Sequence, residues 1–324
     1  MRFLKFLSAS EVLAEKDLLE LENFLELAVA EDNFIAEACA PLIKGGKRLR
    51  PMLFMLCAHS KENYLPEKIL PLAAALELIH TASLVHDDIL DGAKKRRGVQ
   101  TINSKYDAQT AVLIGDYLFA KAFQFVAEGN YGAEVSAILS KLVGNLCIGE
   151  IMQDRALFVV PTLEEYYTRI NLKTAIFLSS CCQLGGIIAE LNHDEIISLA
   201  NYGNGLGLAF QIVDDLLDFF GEEKITGKPF GGDLKSGVIT LPVIRALQVS
   251  EKSDALKKIV ESGKVSDTDV ATAAKIVRKT DAFDYCKTCA ENQISRAKNS
   301  LPPIKSSVRI VLEEVANFVV VRSR

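Results

Sequence analysis

Apolar residues recur at intervals of three and four along most of this 324-residue chain, the spacing of helices that turn one face inward. Leucines among acidic residues predict an amphipathic helix over 10–31, a packing or subunit surface. A short helix over 34–40 should stop at Pro41, and another apolar helix opens at Met52. Pro66 suits the first turn of a long helix that runs without Gly or Pro from Leu72 to Asp91. Helices are expected over 107–128 and 131–158, and Thr162 to Glu165 is a capping box opening one that reaches about residue 189. Asp194 opens the next, which ends near Asp218. More helices follow Thr240, broken at Ser300 to Pro303, and Phe318 to Val321 is too short and isolated to form a sheet. Residues 100–105 and the Gly- and Lys-rich stretch 221–237 read as loops. Period-two alternation, tandem repeats and low-complexity linkers are lacking, so the expected class is all-α, a single domain over 1–324.

Composition narrows the function. Hydrophobic residues make up 49% of the chain, ample for a sizeable core. A net charge of −5 and a pI near 5.6 argue against nucleic acid as a partner. The seven cysteines lie mostly in apolar helical runs without a pairing framework, which suits reduced thiols in a cytoplasm. Cys286 and Cys289 have the spacing of a metal or redox pair, but no second pair or preceding strand accompanies them, and they read as structural. The N-terminal MRFLKFLSASEVLAEK reads as neither a signal peptide nor a membrane span, its apolar run being broken by Ser8, Ser10 and Glu11.

The polar exceptions carry the chemistry. Asp87, Asp88 and Asp91 end the long helix, with Asp87 and Asp91 one turn apart, and Lys94, Lys95, Arg96 and Arg97 follow at once. Asp214, Asp215 and Asp218 repeat the pattern on a second apolar helix. One acidic triplet is a common solvated face, but two in apolar sequence demand cations, and Mg²⁺ typically takes one or two carboxylates plus substrate phosphates. Gly45-Gly46-Lys47-Arg48-Leu49-Arg50 offers flexible backbone and positive charge at a helix start, an anion-binding arrangement. Lys173 sits in apolar sequence where it needs an anion. Asp116 reads as a buried structural carboxylate and His86 as a packing residue. No nucleophile, base and orienting group are legible together, so departure of a metal-bound diphosphate fits better than covalent catalysis.

GGKRLRP at 45–51, HTASLVHDDILD at 80–91 with RRG at 96–98, KTA at 173–175, and FQIVDDLLD at 210–218 followed by GKPFGGDL at 227–234 resemble the trans-isoprenyl diphosphate synthases, or polyprenyl synthetases, in that family's order and over nearly the whole chain. The resemblance implies a helical bundle around a deep apolar cavity, working as a cytoplasmic homodimer. It implies Mg²⁺ held by Asp87 and Asp91 of the first cluster and Asp214 and Asp218 of the second, with Asp88 and Asp215 completing the catalytic sets. Lys47, Arg50, His80 and Arg97 would bind isopentenyl diphosphate; Arg96 would bind the allylic diphosphate, of farnesyl or geranyl type, with Lys173, Thr174, Gln211 and Lys228 opposite. Two departures stand out: Lys94 and Lys95 lie where the family often has an acid, and Val238 where many members have a Lys, a cation that Lys235 would have to replace.

Residues four and five before Asp87 are Ser83 and Ala82, both small. In the family an aromatic there closes the cavity, so the open floor implies a product of roughly thirty to fifty carbons, a quinone side-chain precursor whose release needs at most peripheral membrane contact. A short-chain synthase is the main rival, because Phe119 or Phe123 could close the cavity instead. A non-catalytic regulatory subunit would have lost an aspartate cluster, and a terpene cyclase would not normally keep the second cluster with GGKRLRP and RRG.

Overall fold

The computed structural model describes residues 11–44, 46–61, 66–96, 98–221 and 230–321. The N-terminal ten residues, Gly45, Arg97 and the Lys228 segment lie outside these. In order come α1 (Glu11–Ala28), α2 (Asn33–Ile43), α3 (Leu49–Ala58) and α4 (Pro66–Leu90). A two-residue antiparallel pair follows, β1 (Lys95–Arg96) and β2 (Val99–Gln100), with Lys95 opposite Gln100. Then come α5 (Ile102–Lys105), α6 (Ala108–Glu128), α7 (Ala133–Arg155), α8 (Leu163–Ile170), a π-helical turn Asn171–Ala175, α9 (Ile176–Ile188) and α10 (His193–Phe220). The remainder is α11 (Gly232–Lys235), α12 (Leu241–Val249), α13 (Ser253–Val260), α14 (Asp267–Val277), α15 (Ala282–Ser300) and α16 (Ser306–Val321). The chain is all-α.

Helix ends follow local chemistry. Asp107 caps α6 by accepting the amide of Thr110, and Thr162 and Glu165 form the reciprocal capping box of α8. One proline expectation needs correction, since α2 runs through Pro41 to Ile43; α4 starts at Pro66 as expected and also contains Pro71. Pro41 lies in the last turn of α2 and Pro66 opens α4, where a missing backbone donor is tolerated, whereas Pro71 sits in the second turn of α4 and removes one backbone bond there. The helix expected to run on to residue 189 is interrupted by the π-helical turn, and the hairpin and α5 replace an expected loop.

Chain contacts separate two compact units: Met1–Val143, Ser180–Leu199 and Pro302–Leu312 form the first, and Gly144–Ser179, Ala200–Leu301 and Glu313–Arg324 the second. In the first, α3 is buried from Met52 to Ala58, and α4 buries a continuous run from Leu72 to Ile79. Each large aliphatic side chain so buried contributes about 1.5–3 kcal/mol. Helices α4 and α6 pack antiparallel: the Tyr131 hydroxyl, just beyond α6, donates to Lys68 O near the start of α4, whereas His86 near the end of α4 lies against Val112 and Gly115 early in α6. In the second unit Tyr166, Phe177, Tyr202 and Phe219 are fully buried. Gly207 of α10 passes so close to Ala175 that an added methyl would collide with its backbone.

By length and composition α4, α6, α7 and α10 could each cross a membrane. Two of them end in the aspartate clusters, and α4 also buries Glu77. Five cysteines are buried, Cys147 is exposed and Cys289 half-buried.

Gly207→Ala should destabilise the protein by about 1–3 kcal/mol through overpacking at the π-helical turn, read as a lowered urea midpoint with unchanged slope.

Candidate active site

The first aspartate cluster occupies the last turn of α4. The amide of Asp91 donates to Asp87 O at 2.8 Å, so these two residues are one helical turn apart, and Gly92 terminates the helix at φ +59° with Ala93 N bonding back to Asp88 O. Asp87 is half-buried and Asp91 exposed. Asp88 is almost fully buried and takes a forked grip from Arg96: Nε lies 2.9 and 3.0 Å from its two oxygens, and Nη2 2.9 Å from Oδ1. The hairpin carrying Arg96 is tied to the helix end, because Asn103 Nδ2 donates to Asp88 O and Ala93 O, and Thr101 Oγ1 to Ala93 O. A small cleft beside Arg96 is lined by Leu42, Thr81, Leu84 and Val99. Lys94 and Lys95 point to solvent.

In the same unit the basic turn leads into α3. Arg50 Nη1 lies 3.0 Å from His80 Nε2. A guanidinium only donates, so this ring nitrogen must accept and the imidazole carries its proton on Nδ1. Burial lowers the Arg50 pKa despite the charge of Glu77. Lys47 is exposed. The neighbouring Arg48, 5% exposed and at φ +48°, anchors this turn: Nε and Nη2 grip Glu22, Nη1 donates to Glu77 at 2.6 Å, and Nη2 also reaches Ile43 O. Burial opposes its charge, yet the two glutamates outweigh burial and raise its pKa. Sequence reasoning missed this trio; the acidic Glu77 inside the apolar run of α4 was its only signal.

Ala82 is fully buried and Ser83 half-buried, with Ser83 Oγ donating to His80 O. His86 Nε2 lies 3.3 Å from Val112 O and 3.7 Å from Asp116, whose side chain is 63% exposed. The expected buried carboxylate at Asp116 is therefore corrected: this side of α6 faces outward.

The second cluster, in the second unit, ends α10. Asp218 is oriented by backbone, its oxygens accepting the amides of Gly232 at 3.0 Å and Asp233 at 3.3 Å. Asp215 is fully buried and accepts from the Tyr166 hydroxyl at 2.7 Å and from Gln211 Nε2 at 2.8 Å. Burial, helped by the charge of Asp233, pushes its carboxyl up to about 8, against the pull of Gln211, Tyr166 and Arg169. Gln211 Oε1 then accepts from Thr174 Oγ1 at 2.8 Å. Lys173, in the π-helical turn, meets Glu150 Oε2 at 2.5 Å, the anion that its apolar setting demanded. Lys235 pairs with Asp267. Sequence reasoning misses Tyr166 and Glu150, the only local signal being the place of Glu150 within an apolar helix.

The two clusters share a plan. Each lies at the negative end of a long helix with no basic residue in its last turn, where every added carboxylate is disfavoured by about 0.3–1 kcal/mol. In each, the middle aspartate is buried and holds a neighbouring donor, Arg96 or Gln211. Among the described residues no three His, Cys, Asp or Glu side chains are grouped to hold a metal by themselves. That fits a hard cation bound by one or two carboxylates per cluster and completed by phosphate oxygens and water.

Such a helical chain, with a DDxxD sequence ending each of two long helices, has the layout of the isoprenoid synthases. The polyprenyl synthetase family model matches residues 32–277, and the chain belongs to that family. It is a prenyltransferase. It is 35% identical over 318 residues to a short chain isoprenyl diphosphate synthase of Methanocaldococcus jannaschii, covering 96% of each chain. It is 38% identical over 312 residues to heptaprenyl diphosphate synthase component 2 of Geobacillus stearothermophilus, covering 94% of this chain and 95% of that one. The structure of a polyprenyl synthase from Caulobacter crescentus complexed with calcium and isoprenyl diphosphate matches with a TM-score of 0.90 at 29% identity, covering 98% of both chains.

Tyr166→Phe should cost about 1–3 kcal/mol in urea unfolding, since it strips a donor from buried Asp215; in an Asp215→Asn background the same change should cost less.

Proposed function

We propose that this chain condenses isopentenyl diphosphate with an allylic diphosphate in successive 1′-4 steps and makes a long all-trans-polyprenyl diphosphate, roughly thirty to fifty carbons. The carrying observation is the pair of DDxxD helix ends, each with a buried aspartate gripping a neighbouring donor side chain. In this reading residues 1–324 act as one domain and both clusters serve one allylic diphosphate. Asp87, Asp91, Asp214 and Asp218 would hold Mg²⁺, which when bound supplies Lewis-acid stabilisation of the departing diphosphate.

The protein's own groups do the rest. Arg96, aimed by Asp88, with Lys173, Thr174, Gln211 and Lys228, holds the allylic diphosphate. Lys47, Arg50, His80 and Arg97 hold isopentenyl diphosphate. The allylic C–O bond breaks with its electron pair leaving on diphosphate, and the homoallylic double bond attacks the cation. Loss of a proton then gives a diphosphate one isoprene unit longer. Lys173 must exchange Glu150 for the incoming anion, and apolar walls keep water from the cation.

Small residues at Ala82 and Ser83 support the long product, as does the likeness to a heptaprenyl synthase component. The short-chain reading is favoured by a different observation. Because α4 and α6 are antiparallel and Phe119 lies 5.8 Å from the His86 ring, Phe123, one turn further along α6, falls near the level of Ala82. Exposed Gly144, Cys147, Ile148 and Ile151 form a stripe on α7 that supports a second copy as partner; the name of the component 2 relative makes a different subunit the alternative. We place the enzyme in the cytoplasm, with membrane contact only for product release.

Purified protein incubated with Mg²⁺, farnesyl diphosphate and labelled isopentenyl diphosphate should yield a ladder ending at one long prenol after dephosphorylation. A ladder stopping at fifteen or twenty carbons establishes the short-chain reading, and incorporation only with a second protein establishes a heteromeric enzyme. Asp87→Ala and Asp214→Ala should each lower turnover at least about a hundredfold with helical circular dichroism intact. Ala82→Phe should shorten the product, whereas Phe123→Ala should lengthen it only if the short-chain reading holds.

A further inference from the structure

One side chain outside every motif named above, and just beyond the matched residues 32–277, touches the residue that follows Asp218 and the residue that precedes the backbone gripping it. Arg278 caps the C-terminus of α14. Its Nε and Nη2 donate to Phe219 O at 3.1 and 2.9 Å, taking up a carbonyl in the last turn of α10 that has no partner within the helix. Its guanidinium also lies 4.7 Å from the centroid of the Phe230 ring, and that ring meets Phe219 edge-on at 5.9 Å. Phe230 immediately precedes the gripping backbone: Gly231 N donates to Asp218 O at 2.9 Å, and Gly232 N and Asp233 N donate to the Asp218 carboxylate. Gly231, at φ +66°, packs so tightly on Val270 of α14 that a methyl there would collide. The loop is thus pressed onto α14 at Gly231 and pinned at Phe230 by the residue that ends the same helix.

We propose that Arg278 is a positioning residue for Asp218: by holding Phe219 O and the Phe230 ring together, it fixes the amides of Gly232 and Asp233 against the carboxylate. Its contacts involve the flanking residues and never the carboxylate itself, so its removal leaves the charge of the cluster intact while loosening its aim. The proposal rests on the reading of Asp218 as a metal ligand, and the test separates the two.

The first readout needs no metal and no turnover. Hydrogen exchange of metal-free protein should show the amides of 231–233 losing protection about tenfold or more in Arg278→Met, with the buried core of α4 unchanged. Arg278→Lys, which keeps the charge and can still reach one of its two partners, should lose less. Unchanged protection at 231–233 in Arg278→Met overturns the proposal, and so does a loss spread evenly over the chain, which would make Arg278 a general prop of the fold. The second readout is the Mg²⁺ concentration for half-maximal turnover at saturating diphosphates, expected to rise several-fold in Arg278→Met with the KM for isopentenyl diphosphate unchanged. Asp218→Asn serves as the reference. If it leaves the Mg²⁺ requirement unaltered while Arg278→Met still loosens 231–233, the metal-ligand reading of Asp218 fails and the positioning of its carboxylate by Arg278 stands.

Discussion

Carboxylates gathered at the negative ends of helices set the terms for this structure. Both α4 and α10 end in DDxxD, where the helix dipole and mutual repulsion act together against the ionised form. The fold meets the cost in parts. Asp88 is neutralised by Arg96, Asp215 is sunk among Tyr166 and Gln211 with its carboxyl pushed up, and Asp218 is bound by two backbone amides. In the proposed reading, divalent cations arriving with a diphosphate add positive charge at both clusters.

Each middle aspartate also has a directional effect. A guanidinium held by both oxygens of a buried carboxylate keeps few of its torsions, so Arg96 is aimed before any ligand arrives. Likewise, Asp215 accepts from the Gln211 amide nitrogen, which leaves Gln211 Oε1 to Thr174 and fixes which way the amide faces. In the proposed reading the outer aspartates of each cluster take the cation, while the middle one aligns a donor. Arg48 does for the basic turn what the middle aspartates do for the clusters. Held by glutamates from α1 and α4, it fixes the backbone between Lys47 and Arg50 without being spent on a ligand.

The helical class, most helix boundaries, and the two clusters with their family were legible in the sequence, because each depends on residues near one another in the chain. Helical periodicity, capping boxes and DDxxD spacing are all local signals. What was not legible depends on contacts across long separations. The Tyr166 to Asp215 bond joins residues 49 apart, Arg48 to Glu77 spans 29, and Arg278 to Phe219 spans 59. The π-helical turn was missed for a similar reason. Asn171–Ala175 has no helix-breaking residue, and Gly207, thirty-odd positions later, is what lets α10 approach Ala175. An acid in an apolar helix suggests burial at Asp116, but this part of α6 faces outward and also exposes Val112 and Leu113.

Chain length turns on the same long-range geometry. Small side chains at 82 and 83 leave space on α4, but space on one helix is only half of a wall, and the antiparallel α6 supplies the other half. Moving from His86 toward Ala82 on α4 corresponds to moving from Phe119 toward Phe123 on α6, so in the proposed reading each level of the cavity would take one residue from each helix. A product-length rule read from the residues before the first DDxxD alone thus weighs one side of a two-sided constraint. In this chain the two sides point opposite ways, small on α4 and aromatic on α6. The half-buried ring of Phe123 has two flat faces and a rotatable first torsion, so in the proposed reading it would lie along a passing chain or across it, and that orientation would decide whether the open floor on α4 is used.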